Sequence, residues 1–370
     1  MSAPVVDRFM QLAPIDNPSG GEAVIRDFLA SSLAKLGLDN QVIDAAGNLL
    51  VRVPGDPNKP TLLLSAHMDS VPPCHGIQPV QDASEGRPVI RSAGKTILGA
   101  DDKSGMAVIL EVMSRLKHPN SENNPPSNHP LELLFSTQEE VGLLGAKALD
   151  RKQLKADYAY VLDGEGSAGD IFTAGPTQYH FVIECHGRAA HAGIAPEAGL
   201  SAIQMMAAVC ARLPQGRLGP ELTANVGTIE GGKATNVVAD FAKIRGEIRT
   251  HHEAPLKALL QEYQEICQQV NANFPGGSIT FEPLRRYDAF SVSGDHVSVQ
   301  KAQAVFEANH IPNSLLSMNI GSDAHILNQF GIPAVVLGMG FHFSHSLGEF
   351  IYVDELQQIT EVVSQLVRGD

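Results

Sequence analysis

The sequence predicts an α/β protein with a central, mostly parallel sheet and an inserted, ferredoxin-like α+β domain. Three observations support this prediction. The chain has 370 residues, which suggests two domains rather than one. Strand-like apolar runs alternate with helix-like runs at both ends of the chain, as in a sheet layered by helices. The middle of the chain instead has the order β-α-β-β-α-β, which is typical of a ferredoxin-like domain.

The first part of the chain predicts alternating helices and strands. Short apolar runs indicate buried strands, and apolar residues that recur at helical spacing indicate helices. In chain order the predictions are a helical N-terminus over 5–36, strand 61–66, helix 103–116, strand 131–136, helix 143–150 and strand 158–162. The polar, proline-rich segment 119–130 is predicted to be a surface loop.

The middle of the chain predicts the inserted domain. Its elements are strand 177–186, helix 199–213, strands 222–229 and 236–249, helix 254–274 and strand 278–283. The chain then returns to the first domain with helix 297–309, strand 334–337 and helix 353–368. We therefore place one domain over 1–175 and 288–370, and an inserted lid domain over 176–287.

Composition and charge narrow the class of protein. The formal net charge is −14, so a basic surface for nucleic acid is not expected. No apolar run is long enough to span a bilayer, and the N-terminus lacks the pattern of a signal peptide, so no membrane partner is expected. The four cysteines are widely spaced and form no CxxC pair. A reducing compartment, the cytoplasm, is therefore the predicted location.

Ligand-type side chains occur at five places, each just after a strand-like run or just before a helix. The segments are SAHMDS with His67 and Asp69, LGADDKSG with Asp101 and Asp102, STQEEVG with Glu139 and Glu140, YVLDGEG with Asp163 and Glu165, and FHFSHS with His342 and His345. In open α/β sheets, binding sites form outside the carboxyl ends of the strands. One such residue alone is weak evidence, because a single Asp before a helix is usually a cap. The joint placement of all five segments predicts one common site.

The same segments resemble a known family. In order, HMDS, GADDKSG, TQEEVGLLGA, LDGEG, GRAAHAG and HSLGEF resemble the dinuclear zinc exopeptidases and deacylases that include peptidase T, carboxypeptidase G and the aminoacylases. The resemblance covers nearly the whole chain, and the segments GADDKSG and TQEEVG are most similar to the peptidase T branch. It implies a zinc-exopeptidase-type catalytic domain with an inserted lid domain.

The resemblance implies five metal ligands. One ion would be held by His67, Asp101 and Asp163. The other would be held by Asp101, Glu140 and His345, so that Asp101 bridges the two. Three protein ligands per ion leave a fourth tetrahedral position for a shared water, as expected of catalytic zinc. Nitrogen and oxygen ligands without thiolates suit two Zn²⁺ ions, and Co²⁺ or Mn²⁺ stays open.

Catalytic roles also follow from the resemblance. Glu139 would be the general base that takes a proton from a metal-bridged water, as hydroxide forms, and passes it to the leaving amine. The alternative is a pair of solvated glutamates at a helix start, where negative charge is favourable. Asp69 would orient the imidazole of His67, or would cap a turn. Asp102 is predicted to cap a helix rather than to bind metal.

Three residues of the lid domain are implied in substrate contacts. His191 would stabilise the tetrahedral oxyanion, which in several family members it does from the partner subunit of a dimer. Asn236 and Arg249 fall where the family places substrate-binding residues, and Arg249 could bind a peptide carboxylate with its forked guanidinium. The sequence leaves open whether the lid pairs two chains in a homodimer. It also leaves His342 as the rival of His345 for the ligand role.

Three functions are compatible with this site. The favoured one is a tripeptide aminopeptidase-like hydrolase that releases the N-terminal residue of short peptides. The second is an N-acylamino-acid deacylase or carboxypeptidase with the same dinuclear site, because specificity depends on the pocket and the lid rather than on the metal ligands. The third is a non-catalytic binding protein of the same fold. The motifs GADDKSG and TQEEVGLLGA favour the first.

Overall fold

A computed structural model of the chain describes residues 3–116 and 127–369. The chain divides into two compact units, Met1–Ala174 together with Phe290–Asp370, and Gly175–Ala289. Most of the predicted loop 119–130 lies outside the described residues. Among those that are described, no helix is both long and apolar enough to cross a membrane.

Apart from one short helix over 324–329, which helical spacing does not predict, the helices lie close to the predicted positions. In chain order they are α1 (Pro4–Leu12), α2 (Ala23–Ala34), α3 (Ala100–Arg115), α4 (Leu144–Ala148), α5 (Ala202–Cys210), α6 (Glu253–Ala272), α7 (Val297–Ala308), α8 (Ala324–Gln329) and α9 (Val353–Arg368). The long N-terminal helical prediction is divided into α1 and α2. Between them, Pro18 and Gly20 lie in a turn, where a proline and a glycine with φ of 83° break the helical geometry.

The strands outnumber those that apolar runs predict. In chain order they are β1 (Gln41–Ile43), β2 (Leu49–Val53), β3 (Leu62–His67), β4 (Pro79–Ser84), β5 (Arg87–Ser92), β6 (Leu131–Ser136), β7 (Tyr158–Gly164), β8 (Asp170–Gly175), β9 (Thr177–His186), β10 (Gly216–Gly219), β11 (Leu222–Gly231), β12 (Phe241–Thr250), β13 (Ser278–Tyr287), β14 (Phe290–Ser291), β15 (Ser314–Ser317), β16 (Ala334–Gly338), β17 (Phe341–His342) and β18 (Phe350–Tyr352). The predicted strands all occur, and the additional ones are mostly short.

The main sheet of the first unit has the order β1-β2-β6-β3-β7-β16-β8-β14, with β15 paired to β8. Its four inner strands β6, β3, β7 and β16 are mutually parallel. Every residue of these strands is buried. Helix α3 packs on β3 and β7, and α7 and α8 pack on β7 and β16. The prediction of a central, mostly parallel sheet is confirmed, and the carboxyl ends of its inner strands lie at one edge.

A second sheet of the first unit is small and antiparallel, with the order β17-β18-β5-β4. It pairs segments far apart in sequence, such as Phe350 with Arg91. Most residues of β4 are exposed, and β17 and β18 have only two and three residues. β4 is largely polar, and β17 and β18 are too short to show a period, so apolar periodicity does not predict this sheet.

The second unit has an antiparallel sheet with the order β10-β11-β12-β9-β13. Helices α5 and α6 pack on this sheet, and their apolar side chains share one core with the inward residues of the strands. Without the edge strand β10, the chain order β9-α5-β11-β12-α6-β13 and the sheet order β11-β12-β9-β13 give the ferredoxin-like arrangement. This part of the predicted fold class is also confirmed.

Candidate metal centre

Polar side chains gather at the carboxyl edge of the main sheet. His67 is the last residue of β3, and Asp163 lies at the end of β7. Glu140 follows β6, Asp101 lies at the start of α3, and His345 lies in the loop between β17 and β18. Because β6, β3 and β7 are parallel neighbours, their ends bring residues from distant parts of the chain to the same place.

The five predicted metal ligands meet in two groups. His67 Nε2 lies 2.8 Å from Asp101 Oδ1 and 3.5 Å from Asp163 Oδ1. His345 Nε2 lies 3.2 Å from Asp101 Oδ2 and 3.0 Å from Glu140 Oε1. The two oxygens of Asp101 thus face different histidines. We name the group His67, Asp101 and Asp163 site A, and the group Asp101, Glu140 and His345 site B.

The chemistry of this cluster fits a pair of divalent cations. Asp101, Glu140 and Asp163 are largely buried, with side-chain exposures of 13%, 7% and 10%. Their ion-pair partners within the cluster are the two histidines. Buried carboxylates are costly unless positive charge compensates them. Two divalent ions would supply that charge, and the oxygen and nitrogen donors present are ligands that zinc accepts.

Asp102 lies beside the cluster, and its carboxylate accepts hydrogen bonds from the backbone. Its Oδ2 accepts from the N–H of His67 at 3.0 Å, and its Oδ1 accepts from the N–H of Gly105 at 2.9 Å. A carboxylate oxygen of Asp102 also lies within 4.8 Å of ligand atoms of His67 and Asp163. Because the carboxylate accepts the N–H of Gly105 within the first turn of α3, the geometry favours the capping role over the ligand role.

Asp69 is fully buried and contacts three parts of the centre. Its Oδ1 lies 3.4 Å from Nδ1 of His67, so the opposite ring nitrogen, Nε2, faces the cluster. Its two oxygens also accept the backbone N–H groups of Glu139 at 2.9 Å and Glu140 at 3.2 Å. Ser19 Oγ donates to it at 2.6 Å. Sequence reasoning named the contact with His67 but missed the contacts that hold the Glu139–Glu140 segment.

The carboxyl group of Glu139 is buried beside the cluster. Burial raises the pKa of Glu139 well above its ordinary value. The neighbouring charge of His67 lowers the pKa of Glu139, whereas those of Asp163 and Glu140 raise it. A carboxylate in this environment takes up a proton readily, which is the property that a general base needs.

The structure distinguishes the two candidate histidines of the segment FHFSHS. His342 packs against the rings of Phe350 and Tyr352, with ring centroids 5.5 Å and 5.4 Å apart. His345 reaches Glu140, as described above. The geometry therefore favours His345 as the ligand.

The sequence did not reveal the contacts by which several other carboxylates hold the ligand segments. Glu349 accepts backbone N–H groups of the segment before α3, and Glu165 accepts from the N–H of Phe343 at 2.9 Å. Asp323 is buried and accepts from the hydroxyl of Ser136. The partners of these carboxylates lie far away in sequence, so no local pattern could reveal them.

The three predicted residues of the inserted domain fall into two places. The N–H of Ala192 donates to the carbonyl of Asn236 at 2.9 Å, which brings the exposed His191 and Asn236 segments together. Arg249 lies near the far end of β12, where its guanidinium pairs with both oxygens of Glu247 at 3.0 Å. Eight residues of strand separate Arg249 from the start of β12 at Phe241, about 26 Å at about 3.3 Å per residue. Within one chain, Arg249 is therefore distant from the other two.

Cation binding at this centre is predicted to release protons and to tighten as the pH rises. Burial raises the pKa of Asp163 to about 7, and the Asp101 and Glu140 carboxylates raise the pKa of His345 to about 10. Below these values each group carries a proton that an incoming cation must displace. Zinc titrations by calorimetry, in buffers of different ionisation enthalpy, should show net proton release near pH 7 and tighter binding at about pH 8 than at about pH 6. Affinity that does not change with pH, without proton release, would contradict this reading.

Comparisons with known proteins relate the chain to peptidases. The family model described as a peptidase dimerisation domain (M20) matches residues 178–275, and the model of peptidase family M28 matches residues 48–192. The structure of aminopeptidase PepT from Bacillus cereus is 35% identical, with 99% of this chain and 97% of that chain covered and a TM-score of 0.85. A tripeptidase from Staphylococcus aureus is 30% identical, with the same coverage and a TM-score of 0.90. The uncharacterized protein YqjE of Bacillus subtilis is 33% identical, with 98% and 97% covered.

These similarities extend over both units of the chain. The dimerisation-domain match coincides with the ferredoxin-like unit, and the M28 match includes four of the five ligand segments. The resemblance to peptidase T that the motifs indicate is confirmed by relatives covered over nearly their whole length. The chain belongs to the M20 family of metallopeptidases, together with the PepT aminopeptidases.

Proposed function

We propose that this protein is a dinuclear metallo-aminopeptidase that releases the N-terminal residue of short peptides, in particular tripeptides. The observation that carries this proposal is the sharing of Asp101 between sites A and B, with Glu139 buried beside them. The names of the similar solved structures, an aminopeptidase PepT and a tripeptidase, support the substrate class.

Each residue of the centre has a definite task in this proposal. Two divalent ions, zinc by preference, would polarise the scissile carbonyl and lower the pKa of a shared water. His67 and Asp163 would hold one ion, Glu140 and His345 would hold the other, and Asp101 would serve as a ligand of both. Glu139 takes the proton from the attacking water and delivers it to the nitrogen of the leaving amine as the C–N bond breaks. Asp69 keeps the ring of His67 oriented and keeps the Glu139–Glu140 segment in place.

The inserted domain supplies the remaining proposed roles. His191 donates to the oxyanion of the tetrahedral intermediate, and Asn236, whose segment is hydrogen-bonded to that of His191, contacts the substrate. Arg249 binds the terminal carboxylate of the peptide with its forked guanidinium group. The match to a dimerisation domain supports a homodimer formed through this domain. The four free thiols are in keeping with a cytoplasmic location.

Free tripeptides are predicted to be cleaved with release of the N-terminal residue, and N-acetylated tripeptides about 10²-fold more slowly or not at all. Acetylation removes the positive charge of the α-amine, so a pocket selective for that group loses a charge-assisted hydrogen bond. Mass spectrometry of the products from trialanine, N-acetyl-trialanine and trialanine amide, each incubated with the zinc-loaded protein, measures both rate and cleaved bond. The amide additionally tests whether a terminal carboxylate is recognised.

The same panel distinguishes the alternatives. Faster cleavage of N-acetyl-trialanine with release of acetate would indicate a deacylase. Release of the C-terminal residue would indicate a carboxypeptidase. Metal-loaded protein that cleaves none of the three would support a binding protein of this fold. Each of these results would refute the aminopeptidase proposal.

A further inference from the structure

A buried carboxylate that is not one of the five ligands connects two ligand segments. Glu349 is 2% exposed. Its Oε2 accepts the backbone N–H groups of Leu98 at 2.7 Å and Gly99 at 2.8 Å, and its Oε1 accepts that of Asp101 at 3.2 Å. In the chain, Glu349 follows His345 by four residues. One side chain therefore holds the segment of the shared ligand Asp101 against the segment that carries His345.

The segment held by Glu349 has an unusual backbone. Gly99 has φ of 69°, in the left-handed region, so the chain turns sharply just before Asp101. Hydrogen bonds from backbone N–H groups to an ionised carboxylate are stronger than those between neutral groups. Loss of the carboxylate would leave buried N–H groups at Leu98 and Gly99 without their acceptor, which is costly in a dry interior. The turn therefore depends on Glu349 for its shape.

Sites A and B depend to different degrees on the hydrogen bonds that Glu349 accepts. Site A also contains Asp101, but its other two ligands, His67 and Asp163, belong to the inner strands β3 and β7, whose positions are fixed by hydrogen bonds within the main sheet. In site B, His345 lies in a loop, and it meets Asp101 across a distance of 3.2 Å. Besides this direct contact between ligands, Glu349 joins the same two segments through its hydrogen bonds to the backbone before Asp101.

We propose that Glu349 is a positioning residue that sets the geometry of site B and thereby the affinity for the second metal ion. This inference rests on the proposed function, because it requires that two ions bind. Residues behind metal ligands typically change metal affinity by about 10- to 100-fold when they are mutated. In Glu349→Gln one acceptor oxygen becomes an NH₂ group, which faces N–H donors and cannot bind them. The second ion should therefore bind about 10- to 100-fold more weakly, while the first binds almost as in the wild type.

The chain offers a matched control at the edge of the main sheet that lies opposite the metal centre. Glu132 is also 2% exposed, and its Oε2 accepts the backbone N–H groups of Lys155 at 2.9 Å and Ala156 at 3.0 Å. It lies at the start of β6, whereas the ligand segment follows the end of that strand. Glu132→Gln thus disrupts the same type of contact without touching the metal centre. It controls for a general loss of stability.

The test is a stepwise metal titration of the full-length wild type, Glu349→Gln and Glu132→Gln. Calorimetry with Zn²⁺ gives both affinities, and the visible absorption of bound Co²⁺ reports the coordination at each step. The expected result is a selective loss of second-ion affinity and an altered second Co²⁺ spectrum in Glu349→Gln alone. Turnover of trialanine should fall through kcat more than through a change of KM, because the defect lies at the metals.

Other results would overturn the inference. If Glu349→Gln binds both ions with wild-type affinity, the inference is wrong, even if the variant has a lower Tm. An equal loss of affinity in Glu132→Gln would assign the effect to stability alone. If Glu349→Gln does not fold, Glu349→Asp, which keeps the charge but withdraws it by one methylene, should show the same selective defect, and wild-type affinity there would overturn the inference. Wild type that binds two ions but cleaves no peptide refutes the proposed function and leaves this inference standing.

Discussion

Glu139→Gln is expected to lower kcat by about 10²- to 10⁴-fold while both metal ions stay bound. The amide has nearly the same shape as the carboxyl group, but it cannot take a proton from water. The backbone N–H of residue 139 would still donate to Asp69, as it does at 2.9 Å in the wild type, so the segment should keep its position. Turnover of trialanine and metal content by plasma mass spectrometry measure the two effects separately.

The adjacent glutamate is the matched control for this variant. Glu140→Ala removes a ligand of site B, so the content of bound metal should fall together with the activity. The two variants thus separate a loss of the base from a loss of metal. Full activity of Glu139→Gln would show that another group accepts the proton.

Asp101→Ala is expected to abolish binding of both ions and to reduce turnover to background. Its two carboxylate oxygens face His67 and His345, so one substitution removes a ligand from each site. A ligand that is present at 100-fold its Kd stabilises a protein by about 2.7 kcal/mol, so zinc should raise Tm of the wild type but not of this variant. Thermal melts with and without zinc measure the change in Tm, and metal analysis measures the number of bound ions.

Two histidine variants complete the series. His345→Ala removes a ligand of site B only, so one ion should remain. His342→Ala changes a ring that packs against Phe350 and Tyr352, so both ions should remain, although Tm falls. Loss of an ion in His342→Ala but not in His345→Ala would reverse the assignment of the two histidines.

Much of the fold could be predicted because the strongest physical signals are local. The inner strands β3, β6, β7 and β16 are buried on both faces, so they appear in the sequence as short, predominantly apolar runs. The antiparallel strands and helices of the second unit show clear periodicity. The small sheet of β4, β5, β17 and β18 could not be predicted, since its pairing depends on tertiary contacts and not on the pattern within any strand.

The candidate centre could be predicted at the level of residue type and position along the strands. His67 and Asp163 end apolar strands, which is the position expected of site residues in an α/β sheet. The sequence could not show which other side chains hold these ligands in place. The contacts of Glu349 with the segment before Asp101, and of Asp69 with the segment of Glu139, join residues that are far apart in sequence. Nor could the sequence show that most of strand β12 lies between Asn236 and Arg249.

The proposed function requires that two metal ions share Asp101 as a ligand. Crystals grown with zinc and measured at the zinc absorption edge test it directly. Two anomalous peaks are expected, one beside His67 and Asp163 and one beside Glu140 and His345, each about 2.0–2.2 Å from an oxygen of Asp101. A single peak, or two peaks with no ligand in common, would contradict it.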